Sequence, residues 1–376
     1  MKVQKDNGKG VLLRSRENTR QVSCGGVKIG GGAPIPVQSM TNTFTEDVAA
    51  TTAQIQALAA AGAEIVRCAV PTQEAAKALT DIRGRLEACG VPVPIVADIH
   101  FDYKLALAAI KAGADKIRVN PGNIGGAERL KAVADAAGAA GIPIRIGVNG
   151  GSIEQELKDL YSKRPAEALA ESALKNIDIM RGFGFKDIVI SIKSSDVIVN
   201  TEAHTLLSKQ TDLPQHIGVT EAGIGVAAVV KSAIGIGSLL SLGIGDTMRV
   251  SITGDPVAEI AAARDILRAV NLLPGQITLI SCPTCGRCRV DLAAICAEAA
   301  EALNELELLR VSGRPIVAAL MGCAVNGPGE ASHADVGVAC GADGGVYFEK
   351  GVQVGSVGFD DIVTTLVQGV KRYLDD

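Results

Sequence analysis

The chain has 376 residues, with 37 lysines and arginines against 41 aspartates and glutamates, a formal net charge of −4. That balance gives no whole-chain positive field to attract nucleic acid or an anionic membrane. The N-terminus is polar and no uncharged apolar stretch reaches the length of a membrane span, so we expect a cytoplasmic protein. Hydrophobic residues make up 47% and aromatic residues 3%, which predicts an α/β protein with an aliphatic core.

The first 275 residues repeat one unit: a short β-branched run, a polar residue at its end, and an Ala-rich helical stretch. Eight strands alternating with helices predict a parallel sheet, and a (β/α)8 TIM barrel is favoured over an open doubly wound sheet. The doubly wound fold needs a Gly-rich phosphate loop after the first strand, and SMTNTFTED there has no glycine. The predicted strands are 36–41, 64–70, 94–99, 116–120, 144–148, 187–192, 216–219 and 247–252; the predicted helices include 47–61, 103–112, 153–182 and 256–270.

The pattern changes after residue 275. A strand at 277–280 leads into CPTCGRC, a helix at 290–309 and a strand at 316–320. Short strands near 336–339, 346–349 and 352–357 follow a Gly-rich loop, and a helix at 360–373 ends the chain. We therefore predict two domains: a barrel over 1–275 that binds substrate and a small α+β domain over 276–376.

Polar residues at the strand ends are the candidates for chemistry, because the active site of such a barrel lies at the C-terminal ends of its strands. Five are cationic, on five strands, and together would suit a phosphate or diphosphate. The alternative is that each cation pairs with a carboxylate, but the strand ends supply few acids. The candidates are Arg67, Asp98, His100, Arg118, Asn120, Arg145, Asn149, Lys193, Glu221, Arg249 and Ser251.

Three of these candidates could move protons. Asp98 and His100 are two residues apart, so on a strand they face the same side and could act as an acid–base or orienting pair. A histidine with a structural role is the alternative. Glu221 ends the seventh strand, where a carboxylate beside several cations could donate a proton or bind a hydroxyl.

The cysteines of the second domain indicate a metal site. Cys282 and Cys285 precede a helix, whose N-terminus favours thiolates, and Cys323 lies in a Gly-rich loop that continues to Glu330. Spacing does not decide between zinc and an iron–sulfur cluster, although three thiolates with a carboxylate are less expected for structural zinc. Cys288 is a spare candidate. The isolated cysteines, expected to act as small apolar residues, are Cys24, Cys68, Cys89, Cys296 and Cys340.

Several motifs resemble the bacterial 4-hydroxy-3-methylbut-2-en-1-yl diphosphate synthase family. They are VQSMTNT at 37–43, DIHFDY at 98–103, IRVNPGNIG at 117–125, GVNGGS at 147–152, SIKSSD at 191–196, GVTEAG at 218–223, ISCPTCGR at 280–287 and MGCAVNGPGEA at 321–331. The resemblance spans nearly the whole chain.

The resemblance implies a 4Fe–4S cluster held by Cys282, Cys285, Cys323 and the carboxylate of Glu330. It also implies a reductive step of isoprenoid biosynthesis, the conversion of 2-C-methyl-D-erythritol 2,4-cyclodiphosphate with loss of a hydroxyl as water. Two electrons would come from flavodoxin or ferredoxin. The last barrel helix runs back to the face opposite the strand ends, so we expect a head-to-tail homodimer in which each cluster domain covers the partner's barrel.

Two other functions remain open from the residues themselves. The chain could be a barrel aldolase or synthase for a phosphorylated sugar, with Lys193 as a Schiff-base lysine and a zinc-stabilised tail. It could also be a non-enzymatic protein that assembles or senses clusters, although a scaffold has no need of five converging cations.

Overall fold

The computed structural model describes residues 13–310, 312–323, 331–341 and 343–375. The chain forms two compact units that divide between Val270 and Asn271. No helix in these ranges combines the length and the apolar character needed to cross a lipid bilayer.

A small hairpin, which the sequence analysis did not predict, precedes the barrel. Strands β1 (Val22–Cys24) and β2 (Val27–Ile29) pair antiparallel through a turn of two glycines, both with positive φ. Glycine adopts this left-handed conformation without the penalty of a Cβ atom. The hairpin packs its apolar side chains against residues at the N-terminal side of three barrel strands, in a cluster of Val22, Cys24, Ile29, Ile65, Val96 and Val189.

The predicted barrel is confirmed, with strands at each predicted position. Six strands form a parallel sheet in chain order, and two short strands form a parallel pair. Parallel bridges from Val37 to Met248 and from Ile190 to Gln215 connect the pair to both edges of the sheet and close the ring. The strands are β3 (Gln38–Met40), β4 (Ile65–Ala69), β5 (Ile95–Asp98), β6 (Lys116–Val119), β7 (Ile144–Asn149), β8 (Ile188–Lys193), β9 (His216–Ile217) and β10 (Thr247–Met248).

Helices surround the barrel, and several begin at a side chain that caps their first turn. Asp47, Asp102, Asp196 and Asp255 each accept a hydrogen bond from a backbone N–H two or three residues ahead, which satisfies a donor that the helix itself leaves unpaired. The helices are α1 (Val48–Ala60), α2 (Gln73–Ala88), α3 (Tyr103–Lys111), α4 (Ala127–Ala140), α5 (Lys158–Lys163), α6 (Pro165–Gly182), α7 (Val197–Ser208), α8 (Gly225–Ser241) and α9 (Pro256–Ala269).

The prediction of one continuous helix over 153–182 was wrong. Arg164 has φ −141° and ψ 72°, outside the helical region, and it separates α5 from α6. The cause is Pro165, because proline disfavours the helical conformation of the residue before it and is favoured in the first turn of a helix. The break makes α5 a separate short element after β7.

In the part of the second unit that the structure describes, the chain forms a five-stranded sheet and two α-helices. Its first three strands are parallel and the last two antiparallel, in chain order. Its core is aliphatic, and Leu303, Ile316, Val338 and Leu366 are buried there. The elements are β11 (Ile277–Ser281), α10 (Leu292–Leu309), β12 (Ile316–Met321), β13 (Val336–Gly341), β14 (Gly344–Glu349), β15 (Val352–Val357) and α11 (Ile362–Lys371).

Candidate active site

A cavity of about 440 Å³ lies at the C-terminal ends of the barrel strands. Its wall is polar and contains most of the residues expected there from the sequence. All five predicted cations reach it. The predicted residues that line the cavity are Arg67, His100, Arg118, Arg145, Asn149, Lys193, Glu221, Arg249 and Ser251.

Strand register brings these side chains together. Successive side chains on a strand alternate between the two faces, so every second residue points into the barrel. Asp98 is paired in register with Arg118, and Arg118 with Arg145, on three neighbouring strands. Asn149 is likewise paired with Lys193. Charged residues that are far apart in sequence therefore become direct neighbours inside the barrel.

Asp98 holds two of the cations but is not part of the cavity wall. Its Oδ2 accepts a hydrogen bond from Arg67 Nη2 at 3.0 Å, and its Oδ1 accepts one from Arg118 Nη1 at 3.1 Å. His100 Nε2 lies 3.2 Å from Asp98 Oδ2, so the predicted Asp98–His100 contact is present. Burial raises the pKa of Asp98, but Arg67, His100 and Arg118 together lower it further, and the net pKa is well below the ordinary value. Asp98 is therefore an ionised support.

Arg249 is held by a carboxylate that the sequence analysis missed. Glu259, on α9, is buried and forms an ion pair with Arg249 at 3.1 Å. Three of the five cations thus have carboxylate partners, and the alternative reading of paired cations holds for those three. Glu259 lies in the first turn of α9, four residues after the N-cap residue Asp255. An acid on the inward face of that turn was the sequence signal that could have predicted this ion pair.

Arg145 and Lys193 form no ion pair with any carboxylate that the structure describes. Arg145 is buried, and its Nε and Nη2 have no hydrogen-bond partner among the described residues. Burial first, and then the neighbouring cations Arg249 and Arg145, hold the pKa of Lys193 well below its ordinary value. The pKa of Arg145 is also lowered, by burial first and then by Arg67 and Arg118. The cavity therefore contains basic groups that no described carboxylate compensates, and an anion would stabilise their charged forms.

Two further predicted residues, Glu221 and Asn120, differ in their position relative to the cavity. Glu221 has φ 52°, a left-handed conformation that costs free energy for a residue with a side chain. Asn120 is buried and does not line the cavity, although it was predicted to bind substrate; its amide is hydrogen-bonded to Gly122 in the loop after β6 and to Ser152 in the turn after β7. Glu221 is thus held toward the cavity at an energetic cost, whereas Asn120 lies behind its wall.

The cavity is also lined by polar residues that were not predicted from the strand ends. Tyr161, on α5, lies over Gly150, where a Cβ atom would come within 1.9 Å of the tyrosine hydroxyl. The two consecutive glycines directly after the strand could have predicted such a close approach, because glycine has no side chain. The other additional polar residues are Ser191, Ser194, Ser195 and Thr220, within the motifs SIKSSD and GVTEAG.

In the second unit, the two cysteine-bearing loops lie side by side. They follow the neighbouring parallel strands β11 and β12, and the Gly322 N–H donates to Cys282 Sγ at 3.2 Å. An added Cβ on Gly322 would lie 2.6 Å from Cys288 Sγ, so Cys288 packs at the same place. Thiol donors therefore surround the start of the Cys323 loop. Within the described ranges, however, no three Cys, His, Asp or Glu side chains are arranged to hold a metal ion, and Glu330 lies outside those ranges.

All nine cysteines are free thiols, and several isolated ones behave as apolar residues. Burial raises the pKa of Cys68 to about 11. Burial, followed by Cys288, Cys296 and Cys282, also raises the pKa of Cys340 to about 11. These thiols stay protonated at neutral pH, which suits the packing role expected for them.

Comparison with known proteins agrees with this division of the chain. Residues 19–264 match the GcpE TIM-barrel domain and residues 278–372 match the GcpE protein C-terminal domain. The barrel is also similar to dihydropteroate synthase from Stenotrophomonas maltophilia, with a TM-score of 0.50 and 18% identity over 68% of this chain and 99% of that one. At that identity the likeness concerns the fold alone.

Curated relatives match at much higher identity. The chain is 49% identical over 352 residues to 4-hydroxy-3-methylbut-2-en-1-yl diphosphate synthase (flavodoxin) of Caldicellulosiruptor saccharolyticus, covering 94% of this chain and 98% of that protein. It is 47% identical over 363 residues to the enzyme of the same name from Bacillus subtilis, covering 96% and 92%. With both family domains matched in order and such identity over nearly the whole length, this chain belongs to the GcpE family.

Proposed function

We propose that this chain is an oxidoreductase that converts 2-C-methyl-D-erythritol 2,4-cyclodiphosphate to 4-hydroxy-3-methylbut-2-enyl diphosphate, in the methylerythritol phosphate route of isoprenoid biosynthesis. The reaction opens the cyclic diphosphate and removes a hydroxyl as water, with two electrons. The observation that carries the proposal is the cavity with two basic side chains, the buried Arg145 and the half-buried Lys193, that form no ion pair with a described carboxylate, because a ring diphosphate supplies the missing negative charge. The names of the relatives give the same reaction product.

The barrel, over residues 1–275, binds the substrate. Arg145 and Lys193 contact the diphosphate oxygens, since they have no competing carboxylate among the described residues. Arg67, Arg118 and Arg249 add donors from positions that their own carboxylates fix. The amide and hydroxyl groups assigned to the remaining substrate oxygens are those of Asn149 and Ser251, which line the cavity, whereas Asn120 lies behind its wall.

Proton transfer belongs to the acids at the cavity. Glu221 donates the proton that lets the substrate hydroxyl leave as water, and its held backbone conformation fits that role. In the Asp98–His100 pair, the ionised Asp98 lies behind the cavity wall and orients His100, and His100, at the wall, is the member that can exchange a proton with the substrate. A leaving hydroxide is far more basic than water, so a positioned acid lowers the barrier.

The second domain, over residues 276–376, holds a 4Fe–4S cluster. We assign its ligands to Cys282, Cys285, Cys323 and Glu330. The donors fit in kind, because iron–sulfur clusters take thiolates, and in placement, because the loops that carry Cys282 and Cys323 are joined by the Gly322–Cys282 hydrogen bond. When bound, the cluster supplies the electrons to the substrate one at a time. Glu330 would be the one oxygen ligand of the set, and a carboxylate is a harder ligand than a thiolate.

Flavodoxin is the electron donor we assign, because the relatives' names specify it; ferredoxin is the alternative. We place the reaction in the cytoplasm, since nine free thiols suit a reducing compartment. For assembly we propose a head-to-tail homodimer in which each cluster domain covers the partner's cavity. Phe44 and Phe101, on loops after barrel strands, are 80% and 71% exposed and provide apolar surface for such a contact.

The test is anaerobic purification followed by iron, sulfide and zinc analysis and a turnover assay with the cyclic diphosphate and reduced flavodoxin. We expect about four irons per chain, the number in a 4Fe–4S cluster. Cys285→Ser should lower iron content and turnover together, whereas Cys89→Ser, an exposed cysteine of the barrel, should change neither. A colourless zinc protein, or an iron protein that leaves the cyclic diphosphate unchanged, would refute the proposal. Full turnover by a monomer at high dilution would refute the dimer.

The aldolase alternative is not favoured, because the chain belongs to a family whose named members carry out a different reaction. The lowered pKa of Lys193 would suit a Schiff-base amine, but surrounding cations suit an anion site equally well. Borohydride treatment in the presence of substrate should leave Lys193 unmodified.

A further inference from the structure

A line of hydrogen bonds connects the loop after β6 to the cavity wall through Ser152. Asn120 Nδ2 donates to Ser152 Oγ at 2.6 Å. Ser152 Oγ in turn donates to Asn149 Oδ1 at 2.8 Å. The line begins at a fixed backbone group, because the Gly122 N–H donates to Asn120 Oδ1 at 3.2 Å.

Each step of this line determines the direction of the next. With its Oδ1 occupied by the Gly122 N–H, Asn120 presents its NH2 group to Ser152. A hydroxyl has one proton, and Ser152 Oγ, which accepts from Asn120, has two possible acceptors on Asn149: the side-chain Oδ1 at 2.8 Å and the backbone carbonyl oxygen at 3.4 Å. The nearer Oδ1 takes the proton, because hydrogen bonds between oxygens weaken beyond about 3.0 Å. The consequence is that the Asn149 Oδ1 is engaged as an acceptor and its Nδ2 remains as the donor.

The position of Asn149 makes this direction important for an anion. Asn149 is the last residue of β7, it lines the cavity, and it is paired in register with Lys193. An amide can present either its oxygen or its NH2 group, and the two are nearly equal in size. Only the NH2 group can donate to a phosphate oxygen; the carbonyl oxygen would repel it.

The backbone around Ser152 is built for this contact. A single 3-10 turn over Gly150–Ser152 follows β7 directly and returns Ser152 to the side of Asn149. The loop after β6 approaches equally closely, since a Cβ on Gly122 would lie 3.0 Å from the Ser152 carbonyl oxygen. Neither Asn120 nor Ser152 lines the cavity itself.

We propose that Ser152 is a positioning residue, which fixes the Asn149 amide with its NH2 group toward the diphosphate of the substrate. Asn120 supports Ser152 from behind the cavity wall. The proposal rests on the proposed function for the identity of the substrate, but the chemistry that it needs is only a phosphate or diphosphate anion.

The experiment compares Ser152→Ala with Ser152→Thr, which keeps the hydroxyl, in the anaerobically purified full chain. Binding of the cyclic diphosphate and of inorganic diphosphate is measured by calorimetry, and KM and kcat by turnover. Loss of one oriented hydrogen bond to an anion is expected to raise Kd and KM for Ser152→Ala roughly tenfold. Turnover number and iron content should stay near those of the parent, and Ser152→Thr should restore most of the affinity. Ser162→Ala, a serine whose hydroxyl donates to the Asp159 carbonyl away from the cavity, is the matched control.

A double-mutant cycle separates positioning from a general structural effect. If Ser152 acts through Asn149, Ser152→Ala should weaken binding no further once Asn149→Ala is present. Additive losses, or an affinity unchanged in Ser152→Ala, would overturn the proposal. Coupling measured with inorganic diphosphate, together with no turnover of the cyclic substrate, would support the role of Ser152 and refute the proposed function.

Discussion

Arg249 and Glu259 are joined by two hydrogen bonds, from Nε to Oε2 at 3.2 Å and from Nη2 to Oε1 at 3.1 Å. Such two-pronged pairs fix the plane of the guanidinium group as well as its position. Glu259 also accepts from Ser39 Oγ at 2.9 Å and from the Ile252 N–H at 3.1 Å. One helix carboxylate therefore ties the first and last strands of the barrel to a cation of the cavity.

Replacing Glu259 with Gln should destabilise the protein strongly. The change leaves the half-buried Arg249 without its counter-charge, and removing one partner of a buried pair costs about 3–5 kcal/mol. Glu202→Gln, on the exposed side of α7, should change the free energy of unfolding by less than about 0.5 kcal/mol. Urea denaturation under anaerobic conditions measures the free energy of unfolding of both variants. Equal stability of the two variants would show that the Arg249–Glu259 pair contributes little.

Asp98→Asn should change how stability depends on acid. The folded-state pKa of Asp98 is lowered, because Arg67, His100 and Arg118 outweigh the effect of burial. The ionised form therefore stabilises the fold above the unfolded-state pKa of about 3.9, and that stabilisation is lost as pH falls below it. Unfolding measured from pH 7 to pH 3 should show a large gap between parent and variant that narrows toward the acid end. A gap that is constant with pH would contradict this assignment.

Substrate binding should take up protons through Lys193. In the free protein its pKa is lowered by burial and by Arg249 and Arg145. A bound diphosphate favours the charged ammonium and raises that pKa, so affinity should fall as pH rises. Calorimetry in buffers of different ionisation enthalpy measures the proton uptake. Lys193→Met should abolish it, whereas Lys209→Met, at an exposed position after α7, should keep it. Uptake that persists in Lys193→Met would assign it to another group.

Gly150→Ala should lower the stability of the fold, because the added methyl group must displace Tyr161. The new methyl group would lie 1.9 Å from the tyrosine hydroxyl and 2.5 Å from its ring carbon Cζ. Such overpacking costs about 1–3 kcal/mol. Adding Tyr161→Ala should relieve the clash and restore the melting temperature. The control is Gly182→Ala at the end of α6, where an added Cβ meets no atom within 4 Å. A melting temperature of Gly150→Ala that equals the parent's would show that α5 can move aside freely.

The sequence allowed the barrel to be predicted because its periodicity is strong. Buried β-branched runs alternate with capped helices, and the polar residues at the strand ends meet in one cavity. The hairpin of β1 and β2 was missed because its strands have only three residues each. The break at Arg164 was missed because Ala-rich periodicity continues on both sides of Pro165.

The pairing inside the cavity was harder to predict than its composition. That Asp98 would hold both Arg67 and Arg118 depends on the relative register of three strands, which no local pattern contains. Glu259 reaches Arg249 from a helix, so a search limited to strand ends could not find it. In the second unit, the motif resemblance implied Cys282, Cys285, Cys323 and Glu330 as cluster ligands, and all four stay predictions.

The hairpin that precedes the barrel restricts how substrate and product can reach and leave the cavity. Its apolar side chains Val22, Cys24 and Ile29 pack against Ile65, Val96 and Val189 at the end of the barrel opposite the cavity, and the interior of such a barrel is a packed core without a channel. Substrate and product must then use the same opening, so a new substrate can enter only after the previous product has departed. If the product leaves more slowly than it forms, its departure sets the rate of the catalytic cycle, however fast the chemistry at the strand ends is.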